Sequence, residues 1–304
     1  MAFTAADVKN LREMTVVGMM DCKKALTEAD GNIDKAIEYL REKGLAASAK
    51  KAGRIAAEGM AYATVIDGVG VVVEVNAETD FVGKNEKFVN FVKGVAAVVA
   101  KENPADLEAL MACKYEGELT VEQQQQEMVL VIGENIKVRR FARFADGVSV
   151  AYVHAGGKIG VLVNLDTDLT YEQVEEAGKD AAMQIAALNP RFWDKAQVTD
   201  EVLAEEKRIM MVQMANDPKM ANKPEQVREK IVMGKLNKFY SENCLLQQEF
   251  VKDNTMTVEK YIASVAKALG GTITFKDAVR FEKGEGIEKK EENFAAEIAS
   301  MVKG

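Results

Sequence analysis

The chain has 304 residues, of which 48% are hydrophobic and 29% charged, and its formal net charge at pH 7 is −8. These values are typical of a soluble globular protein of one to three domains. The acidic balance, without a long basic run, argues against nucleic acid or an anionic membrane as a partner. No run of about 18 apolar residues predicts a transmembrane helix, and the first residues do not resemble a signal peptide.

The residue types that carry enzyme chemistry are sparse. The three cysteines, Cys22, Cys113 and Cys244, are far apart, which predicts free thiols in a reducing, cytoplasmic compartment and no metal or other cofactor. His154 is the only histidine, and both a structural or surface role and a catalytic base are open for it. Because no phosphate-binding GxxxxGK[ST] loop is present, the sequence does not favour an enzyme.

Three short helices are predicted in residues 1–45. Thr4 begins the first, Asn32 caps the third, and Gly44 is expected to end it. The first two helices are separated by an apolar loop that includes Met19 and Met20, and this loop resembles the hydrophobic-patch loop of ubiquitin-associated domains. Two adjacent loop methionines rarely both point inward, which favours an adaptable contact surface; the alternative is that both fill the core.

From residue 60 onward the hydrophobic pattern has a period of two residues, which predicts strands. Asp67 and Gly68 fit a hairpin turn between the first two strands. A polar cluster with Phe81 in it then leads to a helix that starts at Glu86. Phe81 therefore lies on a strand-to-helix connection, where it is either presented outward or folded under its helix as a core residue.

The same plan appears a second time. Residues 148–169 repeat the two strands, residues 172–188 the helix, and residues 271–281 echo the later strand at 136–144. Two β-β-α-β copies are predicted, with Leu169 in the second copy where the first has Phe81. The second copy is interrupted by two charged helical segments, whose apolar positions include Ile209, Val212 and Phe239.

These patterns predict an α+β fold with a three-helix N-terminal bundle, two repeated antiparallel sheet-and-helix subdomains, an inserted antiparallel helical hairpin and a C-terminal helix. The predicted units are a helical domain at 1–45, a linker at 46–59, a first core subdomain at 60–145, a second at 146–197 and 241–283, a hairpin at 198–240, and a C-terminal module at 284–304 with an amphipathic helix at 291–302.

Several motifs carry a family resemblance. They are residues 18–26 (Gly-Met-Met-Asp-Cys-Lys-Lys-Ala-Leu), 78–82 (Glu-Thr-Asp-Phe-Val), 132–136 (Ile-Gly-Glu-Asn-Ile), His154 with 159–163, and 284–289. In order and separation they resemble the bacterial elongation factor Ts family over nearly the whole chain. Gly83, where the family commonly has alanine, and the glutamine run at 123–126 depart from the pattern.

The resemblance implies a guanine-nucleotide exchange factor for the translational GTPase elongation factor Tu. It implies that Phe81, with Thr79, Asp80 and Val82, inserts near the Mg²⁺ and phosphate site of the GTPase. Further implied contacts are Met19, Met20, Lys23, Ile132, Gly133, His154 and the C-terminal helix. A homodimer within a larger complex is left open.

Two other functions fit parts of the sequence. The N-terminal bundle alone could make the chain an adaptor for hydrophobic or ubiquitin-like segments, in which case Phe81 would be irrelevant. A hydrolase or transferase built around His154 would instead lose its turnover when that histidine is replaced.

Overall fold

The computed structural model describes residues 3–15, 17–217, 219 and 223–288. The predicted helix at 291–302 lies outside the described residues. Helices and antiparallel strands share the described part of the chain, which confirms the α+β class. Within it, no helix combines the length and the apolar character needed to cross a lipid bilayer.

The helices are α1 (Ala5–Thr15), α2 (Met19–Glu28), α3 (Ile33–Lys51), α4 (Glu86–Glu102), α5 (Leu107–Ala112), α6 (Val121–Ile132), α7 (Tyr171–Leu188), α8 (Asp200–Asn216), α9 (Glu225–Asn243) and α10 (Val258–Leu269). The strands are β1 (Glu58–Ile66), β2 (Val69–Ala77), β3 (Lys137–Phe144), β4 (Val148–His154), β5 (Ile159–Thr167), β6 (Glu249–Phe250), β7 (Asp253–Thr257) and β8 (Ile273–Glu282). Short 3₁₀ turns lie at Val82–Lys84, Lys195–Gln197 and Leu245–Gln247.

Two three-stranded antiparallel sheets form the centre of the molecule, ordered β1-β2-β3 and β4-β5-β8. The β-branched residues of β2 and β5 alternate between the two faces of each sheet because successive side chains of a strand point in opposite directions. One face of the first sheet packs on α4, and one face of the second packs on α7 and α10. The remaining faces meet in a shared layer around Val72 and Leu162.

The two sheets share a detail of register. A bulge interrupts the pairing of β2 with β3 between Glu74 and Val75, and another interrupts the pairing of β5 with β8 between Asn164 and Leu165. The connection from strand to helix differs, however. It covers residues 78–85 in the first copy and only residues 168–170 in the second, and Leu169 packs on the core of its own copy.

The N-terminal helices correct two details of the sequence analysis. Asn32 caps α3 by accepting a hydrogen bond from the amide of Lys35, as predicted. Gly44 does not end this helix, which continues to Lys51, because a single glycine inside a helix costs only about 1 kcal/mol and packing compensates for it. Met19 and Met20 form the first turn of α2 rather than a loop.

The extra turns of α3 dock the N-terminal bundle onto the core. Gly44 lies against the backbone of Gln126 on α6, where an added Cβ would be 3.5 Å from the carbonyl oxygen. Leu130 and Val131 of α6 pack on the core of the bundle. Helix α6 also contains the glutamine run, in which Gln123 completes a capping box with Thr120 and the side chain of Gln125 accepts a hydrogen bond from the amide of Val138, at 2.8 Å.

The arms of the hairpin, α8 and α9, pack through a cluster that contains Met210, Met214, Leu236 and Phe239. Ile209 and Val212, which the sequence pattern assigned to the apolar face, are instead exposed. The flexible methionines take the inward positions because an unbranched side chain can fill an irregular gap between two helices.

Candidate protein-binding surface

Phe81 is an exposed aromatic on the connection between β2 and α4. Its side chain is 80% exposed, whereas the next residue, Val82, is 5% exposed and packs in the core. The backbone carbonyl of Phe81 accepts a hydrogen bond from Lys84 N, and that of Val82 accepts one from Asn85 N. The structure therefore decides for the outward position: Val82 anchors a tight turn, and Phe81 is its apolar tip.

The loop that precedes Phe81 is bound by Glu134. One carboxylate oxygen of Glu134 accepts the amide protons of Glu78 and Thr79, at 3.1 and 3.0 Å, and the other accepts the hydroxyl proton of Thr79, at 2.7 Å. In return, Glu78 accepts the amide proton of Asn135 at 2.6 Å. The two carboxylates thus bind each other's loops. Sequence reasoning gave Glu134 no role of its own, although it lies in the quoted motif 132–136.

Arg54, in the segment that follows α3, contacts both of these loops. Its guanidinium lies 3.4 Å from the Glu78 carboxylate, and its backbone carbonyl accepts a hydrogen bond from the side chain of Asn135 at 2.7 Å. Beside it, Ile55 is 47% exposed and lines a groove next to Phe81 together with Glu58, Thr79 and Lys283. Sequence reasoning missed Arg54 and Ile55, because no pattern assigns a contact role to residues in a linker.

Ile132 and Gly133 end α6 directly before Glu134. Gly133 has a φ of +87° and closes the helix through its amide, which bonds to the carbonyl of Val129. A left-handed residue at this position favours glycine. Ile132 is half-buried and Gly133 is exposed, so the Glu134 hydrogen bonds bring these two predicted contact residues next to the Phe81 turn.

His154 lies at the end of β4, on the turn to β5. It is exposed, and its Nδ1 is 3.0 Å from the hydroxyl of Tyr152. The same turn touches β1, because the carbonyl of Gly157 accepts a hydrogen bond from Ala61 N. On the Phe81 side, a Cβ at Gly83 would lie 2.9 Å from the carbonyl oxygen of Gly59. The Phe81 turn and the His154 turn therefore both contact the first residues of β1.

Met19, Met20 and Lys23 occupy one end of the N-terminal bundle. Met19 is 55% and Met20 77% exposed, and Lys23 is also exposed. Both methionines lie outside the core, so the alternative that they fill it is wrong. Helix α2 packs on α3, and α3 packs on α6, whose end lies beside the Phe81 turn. Within the described residues, no cluster of histidine, cysteine or carboxylate side chains has the arrangement of a metal site.

Comparison with known proteins places the chain in a family. The family model described as "Elongation factor TS" matches residues 78–285. The chain is 49% identical over 302 residues to an elongation factor Ts of Clostridium perfringens, covering 98% of both chains. It is 48% identical over 307 residues to an elongation factor Ts of Syntrophotalea carbinolica, covering 100% of both. The chain belongs to the elongation factor Ts family.

Membership of the elongation factor Ts family confirms the resemblance found in the sequence. It implies a nucleotide exchange factor for the GTPase elongation factor Tu in translation elongation. The family match begins at Glu78, and so it includes the Phe81 turn, Glu134 and His154. Met19, Met20 and Lys23 precede the match and are covered by the relatives, whose alignments span nearly the whole chain. The roles of the individual contact residues stay predictions.

Proposed function

We propose that this member of the elongation factor Ts family binds elongation factor Tu through the Phe81 turn and releases GDP by disturbing the Mg²⁺ and phosphate site of the GTPase. The observation that carries the proposal is the exposure of Phe81, which is 80%. A large aromatic side chain held outward on a tight turn leaves apolar area in water that a partner can bury.

The energetics suit an exchange factor. Burial of one phenylalanine side chain is worth roughly 1.5–3 kcal/mol, which is about a tenfold to a hundredfold change in an equilibrium constant. By thermodynamic linkage, a factor that binds the empty GTPase more tightly than the loaded one weakens nucleotide binding by the same ratio. Phe81 therefore contributes to exchange only if its pocket is open in the empty GTPase and closed in the loaded one.

Asp80 gives the turn a second means of action. Its side chain is exposed next to Phe81, so the turn would bring a carboxylate toward a site that holds a polyanion through a bridging Mg²⁺. A carboxylate there repels the phosphates and competes for a hard cation that prefers oxygen ligands. No covalent step is required of this chain.

The other proposed contacts extend the surface. Ile132 and Gly133 lie next to the Phe81 turn, and the turn that contains His154 contacts the same end of β1 as the Phe81 turn. Met19, Met20 and Lys23 add a separate patch on the bundle. An interface with several contact patches fits a partner that must be held while its nucleotide leaves, since one buried side chain does not supply the affinity of a stable protein complex.

The test is stopped-flow release of a fluorescent GDP from elongation factor Tu, with wild type, Phe81→Ala and the control Val251→Ala. Val251 is 47% exposed on the second core unit. We expect wild type and the control to accelerate release equally, and Phe81→Ala to be slower by about tenfold or more. Equal rates for Phe81→Ala would keep the exchange function and reject the insertion of Phe81. No acceleration by wild type would reject the function.

The adaptor function remains the second candidate because both Met19 and Met20 are exposed. It predicts that the full chain binds a fluorescent hydrophobic peptide, that Met20→Ser abolishes this binding, and that Phe81→Ala leaves it intact. Residues 1–45 alone are not suitable for the test, since α3 extends to Lys51 and packs on α6.

A further inference from the structure

The direction of Phe81 depends on a contact that neither the family match nor the sequence motif explains. Phe81 itself makes only turn hydrogen bonds, whereas Glu78 and Thr79, shortly before it, are bonded to Glu134 and Asn135, which follow the end of α6. Glu134 accepts hydrogen bonds from both the amide and the hydroxyl of Thr79 and from the amide of Glu78. We propose that Glu134 is the positioning residue of the Phe81 turn, and that Thr79 acts through Glu134 rather than as a direct partner contact.

The second copy of the repeat provides an internal comparison. There the segment before β8 is also joined to the connection that follows the middle strand, since Asp168 accepts the amide proton of Thr272 at 2.7 Å and its hydroxyl proton at 3.0 Å. That connection is short, and its apolar residue, Leu169, packs on its own core. The Asp168 bonds correspond by position to the bond between Glu78 and Asn135 N in the first copy. Glu134 lies on the opposite segment and adds bonds in the reverse direction, in the copy whose longer connection has an exposed aromatic.

Glu134 can act as a positioning residue because an unrestrained Phe81 loop would reduce the affinity for the partner. A connection of this length with an exposed phenylalanine at its tip can fold the ring onto neighbouring apolar surface, for example Ile55, which is 47% exposed. A partner would then have to detach the ring and order the loop before binding, and both costs reduce affinity. The bonds to Glu134 remove that freedom in advance.

The position of Glu134 adds a second consequence. It follows Ile132 and Gly133 directly, so the same carboxylate that orients the Phe81 turn also fixes its distance from the end of α6. The bond from Asn135 N to Glu78 acts in the opposite direction and at 2.6 Å is short. Two predicted contact segments, 80–82 and 132–133, are therefore presented together as one surface.

This inference rests on the proposed function, and a double-mutant cycle separates the two. Glu134→Ala and Phe81→Ala are made singly and together, with Asp168→Ala as the matched control, and release of fluorescent GDP from elongation factor Tu is measured well below the unfolding temperature of every variant. We expect Glu134→Ala to slow release about tenfold when Phe81 is present and to have almost no effect when position 81 is alanine. Asp168→Ala should match wild type.

Thr79 tests the same contact from the other side. Thr79→Val removes the hydroxyl that donates to Glu134 and keeps the shape, and we expect it to slow release. Thr79→Ser keeps the hydroxyl and should recover most of the loss. If valine and serine slow release equally, the hydroxyl bond does not position the turn.

The outcomes of the cycle are distinct. If Glu134→Ala slows release by the same factor in both backgrounds, it does not act through Phe81 and the inference is wrong, while the proposed function stands. If Phe81→Ala alone has no effect, the proposed insertion fails, and the positioning of an inactive side chain fails with it.

A measurement on the free protein checks the geometry independently. Amide hydrogen exchange at residues 78–81 should be faster in Glu134→Ala than in wild type or Asp168→Ala, because the acceptor of the Glu78 and Thr79 amides is gone. Unchanged protection of these amides would overturn the proposal whatever the release kinetics show.

Discussion

Glu74 and Arg140 form an ion pair between neighbouring strands, with 2.5 Å between the Glu74 carboxylate and Nε of Arg140. The side chain of Glu74 has no exposed surface, and its other oxygen accepts hydrogen bonds from Arg139 at 3.0 Å and from the amide of Gly284 at 2.8 Å. A charge in the middle of β2 is thus fully partnered, and it ties the residues after β8 to the first sheet.

Replacement of Glu74 should destabilise the protein strongly. Glu74→Gln removes the charge and leaves two guanidinium groups without their buried partner, and removal of one member of a buried pair costs about 3–5 kcal/mol. The control is Glu285→Gln, because Glu285 is 46% exposed and also binds Arg140; an exposed pair is worth about 1 kcal/mol or less. Urea unfolding at pH 7 measures both. A loss for Glu74→Gln no larger than that of the control would contradict the prediction.

The same carboxylate predicts a dependence of stability on pH. Burial alone would raise the pKa of Glu74, but hydrogen bonds from Gly284, Asn76, Arg139 and Arg140 outweigh it and hold the pKa below the usual 4.5. A lowered folded-state pKa contributes stability that is fully present above the unfolded-chain value and is lost as the pH falls through the folded-state value. Wild type should therefore lose more unfolding free energy than Glu74→Gln when the pH is lowered below about 4.5. Parallel curves would rule this out.

Docking of the N-terminal bundle should depend on the small size of Gly44. A Cβ there would be in ordinary contact with Gln126, so Gly44→Ala should be tolerated, whereas the larger side chain of Gly44→Leu should separate α3 from α6 at a cost of about 1–3 kcal/mol. Hydrogen exchange in α3 and α6 measures the separation. Gly53→Leu is the control, since no atom lies within 4 Å of a Cβ at Gly53. Equal protection in both leucine variants would show that the contact is unimportant.

The two methionines of α2 should contribute to binding without contributing to stability. Both are more than half exposed, so Met19→Ser and Met20→Ser should change the free energy of unfolding by no more than about 0.5 kcal/mol. Each should weaken binding to nucleotide-free elongation factor Tu several-fold, as measured by titration calorimetry, because an apolar contact is lost. Met233→Ser, at an exposed methionine of α9, should leave binding unchanged. Equal effects at all three positions would argue against a specific patch.

Gln125 gives a role to one member of the glutamine run. Its side-chain oxygen accepts the amide proton of Val138, a residue that is 1% exposed. Gln125→Ala should therefore leave a buried donor unpaired and cost about 1–3 kcal/mol. Gln124→Ala, one position earlier on α6, is the control. Thermal unfolding compares the two, and matching midpoints would mean that water replaces the lost acceptor.

The sequence predicts turns and helix caps well because each depends on only a few adjacent residues. Asp67 and Gly68 predict the hairpin because both residue types tolerate positive φ, and both have it, at +49° and +81°. The cap at Asn32 follows from a side-chain oxygen that can accept the amide proton of Lys35, three residues later. The stop at Gly44 failed, since a packing partner on α6, distant in sequence, outweighs the weak helix propensity of one glycine. Ile209 and Val212 failed for the same reason, because the partner arm α9 decides which face of α8 is buried.

The sequence by itself determined the family, the α+β class and the position of Phe81 on a strand-to-helix connection, because motif order and hydrophobic period are properties of the chain alone. Only the tertiary structure decided that Phe81 points outward, that Glu134 holds its loop, and that the end of α6 lies beside it. The Glu134 contacts join residues more than fifty positions apart. Their geometry depends on how the sheets and helices pack, which local sequence patterns do not predict.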